Sequence, residues 1–213
     1  MSTITRPFII PAALAAMWLA SASPALAESG SNPGMELSGF AGYRWGGNFK
    51  DPVSDERLEL DDKGSVGLVL NIDHDANTEW EFLFSHQSTR LQPAPLFTGT
   101  SRIDVDVSYL SGGGIYVWRD PKVEPFLGAG IGIAHFSPQD SRYDSETRAL
   151  FSLTGGYRFR LTDSIGLRLE ARGYYTLLNT NAAVFCGNGG CIARVDSSGL
   201  TQVEINAGLS VRF

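Results

Sequence analysis

The chain has 213 residues, enough for one domain with a sizeable apolar surface. Acidic residues outnumber basic ones 23 to 17, a net charge of −6, which argues against a nucleic-acid partner because phosphate binding needs a basic patch. No stretch approaches the roughly 18 consecutive apolar residues of a membrane helix, so any passage through a bilayer must use strands.

At the N-terminus, Arg6 precedes an apolar stretch from Phe8 to Ala20 and then Ala25-Leu26-Ala27. That is the pattern of a secretory signal peptide, cut after Ala27. The stretch is too short for a spanning helix, which needs about 20 apolar residues. The expected organisation is a signal peptide over 1–27, a short linker over 28–34 and one domain over 35–213.

From Met35 onward apolar and polar residues alternate, the period-two signature of strands with one apolar and one polar face. Strands are expected at roughly 35–46, 62–73, 78–91, 101–118, 123–136, 147–161, 165–178 and 200–213. In the last, Val203, Ile205, Ala207, Leu209, Val211 and Phe213 oppose Gln202, Glu204, Asn206, Gly208, Ser210 and Arg212. The connections alternate in length: short at 73–77, 119–122 and 162–164, long at 47–61, 92–100, 137–146 and 179–199. Short periplasmic turns and long outer loops are the habit of outer-membrane barrels.

The polarity of the faces separates a membrane barrel from a soluble one. An apolar lumen would bury Glu79, Glu81, Asp104, Asp106, Arg158, Arg160 and Arg168 without water, so the apolar face is expected outward, against lipid, with the charges inside. Tyr43, Trp45, Trp80, Tyr109, Tyr157, Phe159 and Tyr175 lie near strand ends, where interfacial aromatic girdles form. The first four strands place Glu36, Glu79, Glu81, Asp104 and Asp106 inside against Arg44 alone. The last three place Arg148, Arg158, Arg160, Arg168, Arg172 and Arg212 inside against Glu170 and Glu204. In an eight-stranded ring the third strand faces the seventh and the fourth the eighth, so an acidic wall should look across at a basic one. The near-absence of lysine, with only Lys50, Lys63 and Lys122, suits such enclosed pairing, because guanidinium makes fixed bidentate contacts with carboxylates.

The C-terminal run Asn206-Ala-Gly208-Leu-Ser-Val211-Arg-Phe213 resembles the assembly signal of bacterial outer-membrane barrels. Val123 to Ala134 is similar to the fifth strand of the small OmpA-like barrel family. The resemblance spans the mature chain and implies an all-β, eight-stranded antiparallel up-and-down barrel in the bacterial outer membrane. It implies contact with outer-membrane lipids and lipopolysaccharide, engagement of the barrel-assembly machinery through the last strand, and a monomer. It departs from full-length OmpA in lacking a periplasmic peptidoglycan-binding domain, so tethering of the cell wall is not implied.

Other motifs carry weaker chemistry. Gly128, Gly130 and Gly132 alternate inside a strand and open no helix, so they read as small residues making room for Phe126, Phe136, Tyr116 or Trp118. His86 and Ser88 share the outward parity of Phe82 and Phe84. This arrangement resembles that of outer-membrane lipid A deacylases, where histidine activates serine, with Asp62 the one available orienting acid. The plainer reading is an interfacial polar pair. Acidic residues in the first and third outer loops match no calcium-loop spacing and read as solvated surface, so neither metal nor cofactor is expected. Cys186 and Cys191, exported to an oxidising compartment, read as a local disulfide. The function expected is a non-enzymatic outer-membrane barrel, structural or presenting loops to surfaces, with a salt-bridged, largely closed lumen. The alternatives are a lipid A modifying hydrolase using His86 and Ser88, and a narrow pore.

Overall fold

The computed structural model describes residues 34–50, 57–92, 103–140, 144–178, 182–187, 190–195 and 199–213, of which 48–50, 57–59, 91–92, 103, 182–187 and 190–195 are described as backbone only. The signal-peptide expectation lies outside the described residues.

Eight long strands form the wall: β1 (Met35–Gly46), β4 (Lys63–Asp73), β5 (Thr78–Gln92), β6 (Ile103–Val117), β7 (Val123–Pro138), β8 (Glu146–Arg160), β9 (Ile165–Leu177) and β12 (Gly199–Arg212). Between them lie the short strands β2 (Asn48–Lys50) and β3 (Arg57–Leu60), and the hairpin β10 (Ala182–Gly187) with β11 (Gly190–Val195). Consecutive wall strands pair antiparallel, and β1 pairs with β12 from Glu36↔Arg212 to Gly46↔Gln202, which closes the ring. Met35 and Phe213 exchange backbone hydrogen bonds of 3.0 and 2.9 Å, so the seam is tied to its last residue. Closure leaves no unpaired edge in the wall.

The predicted strands match these elements closely. The additions are the loop strands, of which β3 continues the wall by pairing with β5 at Glu59↔Gln92 and Leu60↔Leu91. Each short turn is held by a side-chain oxygen at its start. Asp75 accepts the Asn77 and Thr78 amides at 2.9 and 2.8 Å, Asp120 accepts those of Lys122 and Val123 at 2.9 and 3.2 Å, and Thr162 accepts that of Ile165 at 3.0 Å. Hydrogen bonds from Thr78 and the Asn77 amide hold the Asp75 carboxyl below its ordinary range, and the Lys122 and Val123 amides do the same for Asp120. At the other end β1 leaves the wall through Gly46 and Gly47, whose φ of 89° and 110° belong to glycine.

Inside, Phe40 lies over two glycines of neighbouring strands. A Cβ on Gly67 would sit 2.4 Å from the Phe40 ring, and one on Gly208 2.9 Å from Phe40 Cβ and 2.5 Å from the Gly39 carbonyl. Outside, the middle of the wall is apolar, with Phe82, Leu110, Ile131, Leu153, Leu169, Ile205 and Leu209 all exposed. Trp80, Tyr116, Trp118, Tyr157 and Phe213 ring its periplasmic end.

Toward the loop end the two faces exchange character. Leu60, Val105, Val107, Phe136, Leu150, Leu178 and Leu200 are buried inside, while Asp104, Asp106 and Ser108 face outward. Asp104 and Asp106 are therefore not lumen residues, contrary to the sequence expectation. Parity on β6 is set by Val105, Val107 and Tyr109, which fill the interior. Where the wall rises out of hydrocarbon its outer surface meets water, and outward carboxylates cost little there. Tyr109 is likewise a lumen residue and not a girdle residue, and Tyr116 and Trp118 face outward and do not pack over the glycines of β7.

Candidate functional site in the barrel interior

Inward side chains of the eight strands meet in three tiers. At the periplasmic tier Arg158 on β8 makes a two-pronged contact with Glu79 on β5, at 3.0 and 2.6 Å, and lies 3.5 Å from Glu36 on β1. Arg119, from the turn after β6, reaches Glu79 at 2.9 Å and Asp73 at 3.1 Å. Arg160 holds Glu124 on β7 at 2.6 Å, and Arg212 is bonded to Asp73.

The middle tier is a closed quartet. Arg168 donates through Nε to Glu170 at 2.7 Å and through Nη2 to Glu81 at 2.6 Å. Arg172 donates to the remaining oxygen of each carboxylate, at 2.6 Å to Glu170 and 2.7 Å to Glu81. Asn71 accepts a further Arg168 proton at 2.9 Å. Glu81 stands on β5 and the other three on β9, strands on opposite sides of the ring. All four side chains are at most 6% exposed. The Arg168 guanidinium also stacks 4.3 Å from the centre of the Phe126 ring, a favourable cation–π distance.

In the upper tier Arg44 on β1 bonds Glu204 on β12 at 2.8 Å and also Ser85 on β5. Its guanidinium lies 4.4 Å from the Tyr109 ring and 5.1 Å from the Tyr174 ring. Tyr109 on β6 reaches across to Gln202 on β12 through its hydroxyl, and Gln87 donates to the Arg44 and Lys63 carbonyls at 3.2 and 3.0 Å. Above this tier comes the apolar layer. The tiers therefore offer structural cross-bracing: unpaired, each enclosed charge would cost several kcal/mol, and here each has a partner.

Of the residues the sequence placed on the inward face, Glu36, Arg44, Glu79, Glu81, Arg158, Arg168, Glu170, Arg172 and Glu204 are buried in the tiers, whereas Arg160 is exposed and Arg212 half-buried at the periplasmic end. Arg148 shares that parity but sits at the loop end and pairs with Glu146 of its own strand at 2.8 Å, not across the lumen. Sequence reasoning missed Glu124, whose inward parity was readable from Phe126 beside it. It also missed Asp73 and Arg119, which lie at strand ends and turns where periodicity gives no direction.

Outside the lumen, His86 Nδ1 is 2.9 Å from Ser108 Oγ on the adjacent strand. Asp62 is engaged elsewhere, accepting the Gly46 amide at 3.2 Å. Ser88 instead stands opposite Asp106. Among the described residues no group of three or more His, Cys, Asp or Glu is placed to hold a metal. Cys186 and Cys191 are backbone partners in the β10–β11 pairing; their side chains lie outside the described residues.

Several solved structures share the fold. Neisserial surface protein A covers 84% of this chain and 97% of its own at 14% identity, with a TM-score of 0.54. The outer membrane protein AlkL, solved in lipid bilayers, covers 88% and 94% at 15% identity and TM-score 0.57. The outer membrane protein OprG from Pseudomonas aeruginosa covers 85% and 96% at 10% identity and TM-score 0.54. No curated protein matches the chain. Residues 12–213 match the family described as outer membrane protein beta-barrel domain. A closed wall, apolar outside and cross-braced by charge inside, and a family match over nearly its whole length together place this chain in that family, as an outer-membrane β-barrel of bacteria.

Proposed function

We propose that this barrel is a non-enzymatic, largely closed structural element of the outer membrane that works through its wall and outer loops, not through its lumen. The observation that carries the reading is the Arg168–Arg172–Glu81–Glu170 quartet, which spans the ring from β5 to β9. With eight strands the interior is just wide enough for side chains to fill it. The tiers above and below add Arg44–Glu204 and Arg158–Glu79, and Val105, Val107, Leu150 and Leu200 form a buried apolar layer toward the loop end. Buried pairs of this kind occupy the space that a conducting thread of water would need.

The non-enzymatic reading is supported by His86, which engages Ser108 and not Ser88, and by Asp62, which is committed to the Gly46 amide. The last strand, with Asn206, Gly208, Val211 and Phe213, serves as the contact for the barrel-assembly machinery, and the wall contacts outer-membrane lipid, including lipopolysaccharide. The chain acts as a monomer, because closure leaves no edge strand to share. Planar-bilayer recording of the purified protein tests the closed lumen. Silent or brief, small events are expected, and steady large currents would replace this reading with a pore.

A further inference from the structure

The outward wall changes polarity along one rung. His86 on β5, Ser108 on β6, His135 on β7 and Thr147 on β8 are successive Cα partners across four strands. They form two matching pairs, His86 Nδ1 with Ser108 Oγ and His135 Nδ1 with Thr147 Oγ1, each at 2.9 Å. An imidazole has two ring nitrogens, so each pair still offers one to an outside partner. Phe84, Leu110 and Ile133 lie next below the rung, while Ser88, Arg90, Asp104 and Asp106 lie above it. The outward ends of β1 and β9 carry Tyr43 and Tyr175 instead, so the histidine–hydroxyl pairs belong to the β5–β8 side of the barrel.

Beneath the rung the wall is hollowed. A shallow apolar groove of about 580 Å³ runs over Gly112, Ala129 and Gly173, between Ile131, Phe151 and Leu153. It is open at its floor, since a Cβ built on Gly173 meets nothing within 4 Å. Ile131 and Phe151 are themselves partners, each four positions from His135 and Thr147 toward the periplasmic end, which puts the groove roughly 10 Å below the rung. Polar rung and apolar groove are thus arranged along the membrane normal as the head and tail of an amphiphile.

We propose that rung and groove form one lipid site for an acylated saccharide of the outer leaflet, a fatty chain filling the groove and sugar hydroxyls and acyl carbonyls meeting the rung. The chemistry favours this head over a phosphodiester. The adjacent cation, Arg90, is paired with Asp104 at 2.9 Å, and Asp106 adds negative charge, so hydroxyl and carbonyl groups suit the rung better than bare phosphate. The rung also spans three interstrand spacings, about 14 Å, a width suited to a disaccharide head. The site rests on the outer-membrane placement of the wall and is independent of whether the lumen conducts.

The test is native mass spectrometry of the intact barrel released from nanodiscs holding equal amounts of dephosphorylated lipid A and phosphatidylglycerol. The protein should retain lipid A in preference. The double variant His86→Ala with His135→Ala should lower that retention about tenfold. Gly173→Leu, whose Cβ meets nothing within 4 Å and whose side chain would occupy the groove, should lower it at least as much. Both variants should keep the heat-dependent gel shift of a folded barrel. Retention unchanged in both folded variants, or phosphatidylglycerol held as firmly as lipid A, would overturn the proposal.

Discussion

Replacing Arg172 with alanine removes one of two cations from a four-member network whose geometry sets the size of the loss. Arg172 holds Glu170 at 2.6 Å and Glu81 at 2.7 Å, but Arg168 holds the other oxygen of each carboxylate. Neither acid is left wholly alone; the quartet passes from neutral to a net charge of −1 in a site at most 6% exposed. Breaking a buried pair typically costs about 3 to 5 kcal/mol because the partner charge is stranded, and the surviving Arg168 contacts place this variant near the lower end, about 3 kcal/mol. The double variant Arg168→Ala with Arg172→Ala strands two carboxylates against each other and should cost more than the sum of the single losses. Arg172→Met with Glu170→Gln restores neutrality and should recover much of the stability. The assay is urea unfolding of the folded barrel in detergent, followed by tryptophan fluorescence and by the heat-shifted gel band. A single variant within about 1 kcal/mol of the parent, or single losses that add without coupling, would refute the cross-brace.

Three further outcomes follow from named contacts. Gly208→Val should lower the unfolding free energy by about 1 to 3 kcal/mol, because its Cβ would lie 2.5 Å from the Gly39 carbonyl, a backbone atom that cannot rotate away; an unchanged unfolding free energy would show that the wall does not need a glycine here. Cys186 and Cys191 should be protected from thiol reagents in unfolded, unreduced protein, and reducing them should remove about 2 kcal/mol of loop constraint with little effect on the wall; labelling of both without reductant would contradict the pairing. The protein should give a strand-rich circular dichroism spectrum in detergent and migrate differently before and after boiling, and a predominantly helical spectrum would sink the barrel itself.

The alternation of residues by itself determined the eight wall strands, their ends to within a few residues, and the assignment of most lumen charges. In β9 Arg168, Glu170 and Arg172 alternate with apolar residues, as do Gln202, Glu204 and Asn206 in β12, and a closed sheet allows only two directions for each side chain. Loop alternation then oriented the barrel. What the tertiary structure alone decided was which charge meets which, and where the faces exchange roles. Glu81 meets Arg168 and Arg172 because ring closure sets β5 opposite β9, as counting strands suggested. Arg148 turns to Glu146 because its height, and not its parity, keeps it from the far wall. Asp104 and Asp106 were misplaced because period two tells only that neighbours point oppositely; which side is inside depends on depth. Within hydrocarbon the apolar set faces out, whereas above it Val105 and Val107 take the interior and the carboxylates take the water. Depth is a property of the tilted, staggered wall, and so is the rung of His86, Ser108, His135 and Thr147, four residues scattered over the chain that only strand register brings into line.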